Sequence, residues 1–290
     1  MTADADTPLS PATAEIDAKI QYLLPTSLIN RRFWAPGEEY NTGEYAPYDV
    51  KIRNARLAGP FTLDEHGFAI ERHKTDITDW VANYGPDSEY AQQVQDVVRQ
   101  MTGADFVIPM GGMLRTSGTT SKEVQPPAGE AHVDFTQKSA ERLSEMLYRA
   151  RRPEGKGYDR FICFSLWRAL SPPPQDWPLA LCEGPSVKDG EGTHNTKVDV
   201  DVIPTGDDLF VEIPGEEDMM AATIFRHSPD HRWWYFPDMT DEEVIFIKFY
   251  DSDHSGAWRA PHTAFPDTSR PDAIERRSFE FRGVAYFTKD

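Results

Sequence analysis

The sequence is poor in cysteine, because Cys163 and Cys182 are the only two in 290 residues. No CxxC pair occurs, which excludes a zinc site built from cysteine pairs. Both cysteines lie in apolar segments, FICFSL and PLALCEG. Free cysteine is often buried in proteins, so we expect two buried thiols rather than a disulfide.

Long apolar segments are absent as well. No run of 18 apolar residues occurs, and the N-terminal segment MTADADTPLSPATAEID has neither a basic start nor an apolar stretch. A signal peptide or membrane span is therefore not expected, and we expect a soluble, cytoplasmic protein. Residues 1–12 are small, polar and proline-containing, and we expect them to be disordered.

Positive charge is scarce. The chain has 30 Lys and Arg against 48 Asp and Glu, a net charge of −18, which repels phosphate backbones and argues against nucleic-acid binding. Internal repeats and interdomain linkers are also absent. We therefore expect a single domain over residues 1–290, with its core at about 45–287.

The elements that are present predict a mainly β protein with flanking helices. Helical spacing of apolar residues occurs at 88–103 and 137–151, and AEIDAKIQYLL is predicted to be a short helix that ends before Pro25. Many short strands with frequent turns predict a β-sandwich or barrel. The clearest strand segments are ADFVIPMGGMLRTS, YDRFICFSLWRAL, EEVIFIKFYDS and RRSFEFRGVAYF.

One short motif could bind a metal. His132 and Asp134 flank a single valine in GEAHVDFT, residues 129–136, and on a strand both would point to the same side. With a second histidine from a distant strand, they would form the two-histidine–one-carboxylate triad that leaves three positions open on non-haem Fe(II). About one such match is expected by chance in this composition, so a surface histidine beside a solvated aspartate stays an alternative.

A second group of residues near the C-terminus completes the pattern. His262 in APHTAFPD precedes Arg276 by fourteen residues, a distance that suits neighbouring strands. Arginine suits the distal carboxylate of a keto-acid, because its fork matches carboxylate geometry and it stays charged when buried. Ser278 would share the strand face of Arg276 and reach the same carboxylate. Arg-x-Ser also occurs at 115–117 and 142–144, so this motif is weak alone.

Other histidines compete with His262 for the third ligand position. His227 and His231 flank SPD, and His231 precedes the aromatic run RWWYF, which makes it the main alternative. The remaining four histidines lie in polar contexts and are predicted to be surface residues: His66, His73, His194 and His254.

Six segments appear in the order found in a known family. They are HVDFT, FSLWRAL, PPPQDWPLALCE, HRWWYFPDMTDEEVIFIKFYDSD, HTAFPD and RRSFEFR. In these segments the chain resembles the CmcJ/asaB-like hydroxylase/desaturase family, which includes fungal gibberellin desaturases and a meroterpenoid endoperoxidase. The resemblance covers roughly residues 105–285.

The resemblance implies a double-stranded β-helix (jelly-roll, cupin-like) oxygenase that uses Fe(II), 2-oxoglutarate and O2. It implies that His132, Asp134 and His262 are the metal ligands and that Arg276 binds the keto-acid. Members usually have Trp-Arg-Pro where this chain has Ala169 after Arg168, and often Asp where it has Glu183. Neither departure affects the metal residues.

The resemblance also implies oxidation of a natural-product intermediate, such as a terpenoid or polyketide, in secondary metabolism. C–H abstraction followed by hydroxylation, desaturation, endoperoxidation or ring formation is the expected chemistry, and a homodimer is expected. Two alternatives stay open: an iron oxidase that needs no keto-acid, and a non-catalytic jelly-roll binding protein.

Three further features have two interpretations each. Arg168 could contact 2-oxoglutarate or a polar substrate group, or it could pair with one of the many acidic residues. The aromatic run at 233–236 could line a substrate pocket or belong to the core. The loop over residues 110–130 could close over a substrate or be a disordered connection.

Overall fold

The computed structural model describes residues 13–288. The predicted disorder of residues 1–12 lies outside this range. Within it, strands dominate: β1 Glu15–Leu23, β2 Arg31–Ala35, β3 Glu38–Asn41, β4 Tyr45–Asn54, β5 Phe68–Arg72, β6 Phe106–Thr116, β7 Val124–Gln125, β8 His132–Val133, β9 Arg160–Ala169, β10 Leu179–Cys182, β11 Gly192–Asp199, β12 Ala221–Phe225, β13 Trp233–Tyr235, β14 Glu243–Asp251, β15 His262–Ala264 and β16 Arg277–Phe287.

Three α-helices accompany the strands within residues 13–288: α1 Leu63–His66, α2 Glu89–Thr102 and α3 Gln137–Arg151. The two longer helices are the two predicted from apolar spacing. Ser88 caps the start of α2 through its side chain, and Gly103 ends the helix in the left-handed conformation (φ 73°) that glycine adopts without strain. No helix in residues 13–288 is long and apolar enough to cross a membrane.

The strands form two sheets. The large sheet has the order β1-β4-β13-β10-β15-β8-β12-β11-β2-β3, and the small sheet has the order β5-β14-β9-β16-β6-β7. Most neighbours are antiparallel, and β4–β13, β2–β11 and β6–β7 are parallel. Strands β1 to β3 precede residue 45, so the folded core reaches further toward the N-terminus than predicted.

The first segment is a strand and not the predicted helix. Residues Glu15 to Leu23 pair with β4 along their whole length, and Ile16, Ile20 and Tyr22 are buried on one side. These three residues are separated by multiples of two, which is the period of a strand. The helix prediction was wrong because Ile16 and Ile20 also fit a helical spacing of four, and pairing with a distant strand decided between the two.

The main apolar core lies between the two sheets. It combines Leu179 and Leu181 of the large sheet with Cys163 and Trp167 of the small sheet. Alternate residues of β9, such as Phe164, face the other side of the small sheet, where α2 covers them. Both faces of this strand are therefore buried, which explains its continuous apolar sequence. Both cysteines are free and buried, as predicted.

Candidate metal centre

Two histidines that are 130 residues apart in the sequence meet on adjacent strands. His132 of β8 lies directly opposite His262 of β15 in an antiparallel pair. The two ring centroids are 4.5 Å apart. The side chains face the space between the sheets, while Val133, which alternates with His132, packs on the opposite face of the large sheet.

Asp134 completes a compact group with these histidines. Its Oδ1 atom lies 3.4 Å from Nε2 of His132 and 3.9 Å from Nε2 of His262. One ligand atom from each residue lies within 4.8 Å of the others. Helix α3 begins directly after this motif, and Thr136 caps it by accepting a hydrogen bond from the Ser139 amide. The helix start thus anchors a strand that is only two residues long.

Both imidazoles are oriented by their other nitrogen. Nδ1 of His132 lies 2.8 Å from the Glu130 carbonyl, and Nδ1 of His262 lies 3.2 Å from the Ala260 carbonyl. A carbonyl accepts a hydrogen bond, so each Nδ1 carries a proton and each Nε2 is the nitrogen that faces Asp134 and is available to a metal. Two oriented imidazoles and one carboxylate fit an Fe(II) ion with open positions.

The protonation states of His262 and Asp134 suit a metal, whereas a proton on His132 would compete with it: burial opposes protonation of His132, but the hydrogen bond and the charge of Asp134 outweigh burial and raise the pKa of His132. Burial, and then the charge of His132, lower the pKa of His262 to about 4, so this ring is neutral at neutral pH. Burial opposes ionisation of Asp134, but Arg282 and the two histidines outweigh it and hold the pKa of Asp134 well below its usual value. A neutral imidazole and an ionised carboxylate are the forms that bind metal ions.

Arg276 lies across the cavity from the histidines, and Ser278 is buried two residues further along the chain. The predicted neighbouring-strand relation is wrong, because β15 belongs to the large sheet and β16 to the small one. Arg276 nevertheless lines the same cavity as His132 and His262. The two histidines and the arginine thus converge from opposing sheets.

Arg276 is buried with part of its guanidinium unpaired. It is 1% exposed, and its Nη1 donates to the Trp177 carbonyl at 2.7 Å. Its Nε atom and the Ser278 hydroxyl lack a hydrogen-bond partner within the described residues. Burial, and the nearby charge of Arg115, lower the pKa of Arg276 to about 9. A buried cation in this state can bind an anion such as a ligand carboxylate.

Two residues that the sequence analysis did not identify hold the backbone of Arg276. Its amide donates to Ser117 Oγ at 2.8 Å and to Asp176 Oδ1 at 2.9 Å. The Ser117 hydroxyl itself donates to Asp176 at 2.7 Å. These contacts connect the start of β16 to the end of β6 and to the PPPQDW segment, and they fix where the guanidinium enters the cavity.

A second charged group on β16 was also missed. Nη2 of Arg282 lies 2.7 Å from Oδ2 of Asp134 and 2.5 Å from Oε1 of Glu280. Arg115 of β6 approaches Glu280 from the other side, at 3.4 Å. The signal was present, because RRSFEFR places Arg276, Ser278, Glu280 and Arg282 on one strand face.

Arg168 lies outside this site, so its predicted role as a co-substrate contact is not supported. It is fully buried on the face of β9 that α2 covers. Its guanidinium contacts the Tyr90 hydroxyl at 3.2 Å, Nδ1 of His73 at 2.6 Å and the Asp241 carbonyl. Strand alternation is the reason: Trp167 and Ala169 face the interior between the sheets, and Arg168 faces away.

The competing features also have clear positions. His231 is buried away from the triad, with Nδ1 2.9 Å from the Tyr22 hydroxyl and Nε2 3.1 Å from Glu191. His73 is half-buried on Arg168, so its prediction as a surface residue is wrong.

Trp233 is 1% exposed and belongs to the core. Of the predicted loop 110–130, the residues up to Thr116 belong to β6 and Val124–Gln125 form β7, and the Ala128 carbonyl accepts a hydrogen bond from the Ala264 amide.

A comparison with known proteins agrees with this arrangement. A family model described as an oxidoreductase/YMDC permease-like domain matches residues 20–286. The hydroxylase/desaturase CTB9 of Cercospora beticola is 32% identical over 266 residues, which cover 82% of this chain and 78% of that protein. The chain belongs to this hydroxylase/desaturase family.

Other members of the family are similarly related over most of their length. The hydroxylase/desaturase efuI of Hormonema carpetanum is 28% identical and is covered to 85%. A solved structure, that of the iron and alpha-ketoglutarate-dependent endoperoxidase NvfI, matches with a TM-score of 0.77 at 23% identity, over 95% of this chain and 99% of that one. The predicted double-stranded β-helix fold is thereby confirmed.

Proposed function

We propose that this protein is an Fe(II)/2-oxoglutarate-dependent dioxygenase with His132, Asp134 and His262 as its metal ligands. One observation carries the proposal: two oriented imidazoles and a carboxylate converge within 4.8 Å, in a cavity that they share with the buried Arg276. The name of a relative from Aspergillus novofumigatus, the Fe(II)/2-oxoglutarate-dependent dioxygenase nvfI, supports it at 26% identity and 87% coverage.

Each residue has a defined task in this proposal. The Nε2 atoms of both histidines and Oδ1 of Asp134 would be the metal ligands. Arg276 binds the distal carboxylate of 2-oxoglutarate, and the Ser278 hydroxyl donates to the same group. Bound Fe(II) supplies the activation of O2 that couples decarboxylation of 2-oxoglutarate to oxidation of a substrate C–H bond. Apolar neighbours in the cavity, including Trp167, Leu179 and Ile247, exclude water.

The substrate in this proposal is a largely apolar natural product of medium size, such as a terpenoid. After removal of one hydrogen atom, hydroxylation adds an oxygen atom to the substrate, desaturation removes a second hydrogen atom and endoperoxidation adds a further O2 molecule; the placement of the substrate selects among these outcomes. The names of relatives, which include hydroxylase/desaturase and endoperoxidase, support this class of reactions.

Three further properties belong to the same proposal: no binding of nucleic acid, a homodimer and a cytoplasmic location. The net charge of −18 supports a protein that does not bind nucleic acid. Strands β1 and β3 form the edges of the large sheet, and a free edge can pair in a homodimer. We place the protein in the cytoplasm, where 2-oxoglutarate is available.

Two experiments separate this function from its alternatives. Anaerobic loading with Fe(II), followed by measurement of succinate release in the presence of O2, is expected to show one iron per chain and release of succinate. Replacement of both His132 and Asp134 by alanine is expected to abolish both. Iron binding with substrate turnover that does not need 2-oxoglutarate would favour a keto-acid-independent oxidase, and tight zinc binding without succinate would favour a non-catalytic binding protein.

A further inference from the structure

Four polar residues at alternate positions, Arg276 just before β16 and Ser278, Glu280 and Arg282 within it, share one face, and the proposed function uses only two of them. Arg276 and Ser278 are assigned to the keto-acid. Glu280 and Arg282 follow on the same face: Nη2 of Arg282 contacts both Asp134 and Glu280, and Glu280 also lines the cavity that Arg276 lines. They are part of neither the metal triad nor the keto-acid site.

The contact between Arg282 and Asp134 is made at one particular carboxylate oxygen, Oδ2. The Nη2 atom of Arg282 lies 2.7 Å from Oδ2, while Oδ1 is the oxygen that faces both histidines. The Oδ2 contact is an ion pair, without the alignment of a hydrogen bond. The two oxygens are therefore distinguished: one faces a guanidinium and the other faces the position of the metal.

Glu280 holds Arg282 in this position. The same Nη2 atom lies 2.5 Å from Oε1 of Glu280, and Nη2 of Arg115 lies 3.4 Å from that oxygen. Glu280 is 8% exposed and the side chain of Arg282 is 27% exposed, so neither is an ordinary surface charge. Buried charges require partners, and here two cations and two carboxylates alternate: Arg115, Glu280, Arg282 and Asp134.

We propose that Arg282, held by Glu280, is a positioning residue that restricts Asp134 to metal binding through Oδ1 alone. This inference rests on the proposed function. A carboxylate that is free to turn can bind a metal ion through both oxygens. Binding through both would occupy a coordination position that the keto-acid or O2 requires. The ion pair on Oδ2 keeps that position open.

The test uses Co(II), which reports its coordination through visible absorption and needs no turnover. Wild-type protein and the variants Arg282→Met, Arg282→Lys and Glu280→Gln are titrated with Co(II), and the Co(II) forms are then titrated with 2-oxoglutarate. Arg277→Met is the matched control, because Arg277 is exposed on the opposite side of the same strand.

The expected results follow from loss of the restriction on Oδ2. Arg282→Met binds one Co(II) with an altered visible spectrum, and its dissociation constant for 2-oxoglutarate rises about 10-fold or more, in the range typical for loss of a contact to a metal ligand. Arg282→Lys keeps a cation and falls between wild type and Arg282→Met. In Glu280→Gln the Co(II) spectrum and the dissociation constant for 2-oxoglutarate change in the same direction as in Arg282→Met. In Arg277→Met both match wild type.

Two outcomes overturn the inference. One is an Arg282→Met protein whose Co(II) spectrum is unchanged and whose affinity for 2-oxoglutarate stays within about twofold of wild type. The other applies if circular dichroism shows that Arg282→Met does not fold. Arg282→Lys and Glu280→Gln then decide, and wild-type spectra and affinities in both overturn the inference. Failure of wild-type protein to bind Co(II), or undiminished binding by His132→Ala, would instead refute the proposed function.

Discussion

At the scale of single residues, strand alternation carries most of the information about the site. It placed His132 and Asp134 on one face from the sequence alone, and it placed Ser278 beside Arg276. The same rule extends to Glu280 and Arg282, which were missed because only the ligands of a metal and a keto-acid were sought. The pairing of His132 with His262 could not be predicted, because it depends on which strands become neighbours.

The first prediction concerns Arg276, for which we propose a role in binding the keto-acid. Arg276→Gln removes the buried cation, and we expect the KM for 2-oxoglutarate to rise by about 100-fold, in keeping with the loss of a charge-assisted contact of about 3 kcal/mol. Metal affinity should stay near the wild-type value. Steady-state kinetics and a Co(II) titration measure the two. An unchanged KM would support the oxidase that needs no keto-acid.

The second prediction concerns Arg168, for which the structure supports a purely structural role. Arg168→Met leaves the Tyr90 hydroxyl, His73 and the Asp241 carbonyl without their common partner. We expect the free energy of unfolding to fall by about 2–4 kcal/mol, with no change in the KM for 2-oxoglutarate. Urea denaturation checks the first part. Arg99→Met, at an exposed position of α2, should be nearly neutral.

A raised KM in a stable Arg168→Met protein would contradict this assignment. It would also revive the interpretation of Arg168 as a co-substrate contact, which strand alternation on β9 argues against.

At the scale of elements, the local sequence pattern predicted the two longer helices and the strands that are apolar throughout. It failed for a segment whose secondary structure depends on pairing with a distant strand. Helices α2 and α3 were predictable from apolar spacing and from Gly103. Strands β9 and β14 were predictable because both of their faces are buried and their sequences are continuously apolar. Strand β1 was not, since its pairing with β4 is not visible in either segment alone.

The third prediction tests how β1 is attached to the sheet. The Tyr22 hydroxyl accepts a hydrogen bond from Trp233 Nε1 at 2.7 Å and contacts His231 at 2.9 Å. Tyr22→Phe removes one oxygen atom and leaves the buried Trp233 donor unpaired, so we expect a loss of about 1–3 kcal/mol in the free energy of unfolding. Denaturation by urea measures it.

Tyr40→Phe is the matched control, because Tyr40 lies on edge strand β3 and is 47% exposed. Its effect should stay within about 0.5 kcal/mol. Equal effects of the two substitutions would contradict the burial of the Tyr22 hydroxyl against β13.

At the scale of the whole molecule, two sheets bring together groups that the sequence separates. The large sheet supplies the histidines and the small sheet supplies Arg276, Glu280 and Arg282, so the site exists only when both sheets are in place. The fold class could be predicted from composition and strand spacing. The position of β15 and β16 on opposing sheets, facing each other across the cavity, could not.

The fourth prediction concerns the pH dependence of stability. Burial holds the pKa of His231 below its ordinary 6.5, despite the opposing effect of Glu191. The unfolded chain therefore binds more protons than the folded one as pH falls below 6.5, and stability is lost in that direction. Urea denaturation of the metal-free protein at about pH 7 and about pH 5.5 should show this loss.

His231→Gln removes the titrating group, so the free energy of unfolding of this variant should depend less on pH over the same interval. Its stability at about pH 7 should be lower than that of wild type, because the contacts with Tyr22 and Glu191 are lost. His194→Gln changes an exposed histidine and should keep the wild-type slope. A His231→Gln protein with an undiminished slope would show that other groups control the acid sensitivity.

The most direct test of the central claim is the charge-transfer absorption that appears when 2-oxoglutarate chelates protein-bound Fe(II) without O2. We predict one such complex per chain in wild type, none in His262→Ala, and in Arg276→Gln the same band only at much higher 2-oxoglutarate concentration. Wild-type protein that holds one Fe(II) per chain but develops no band with saturating 2-oxoglutarate would contradict the account.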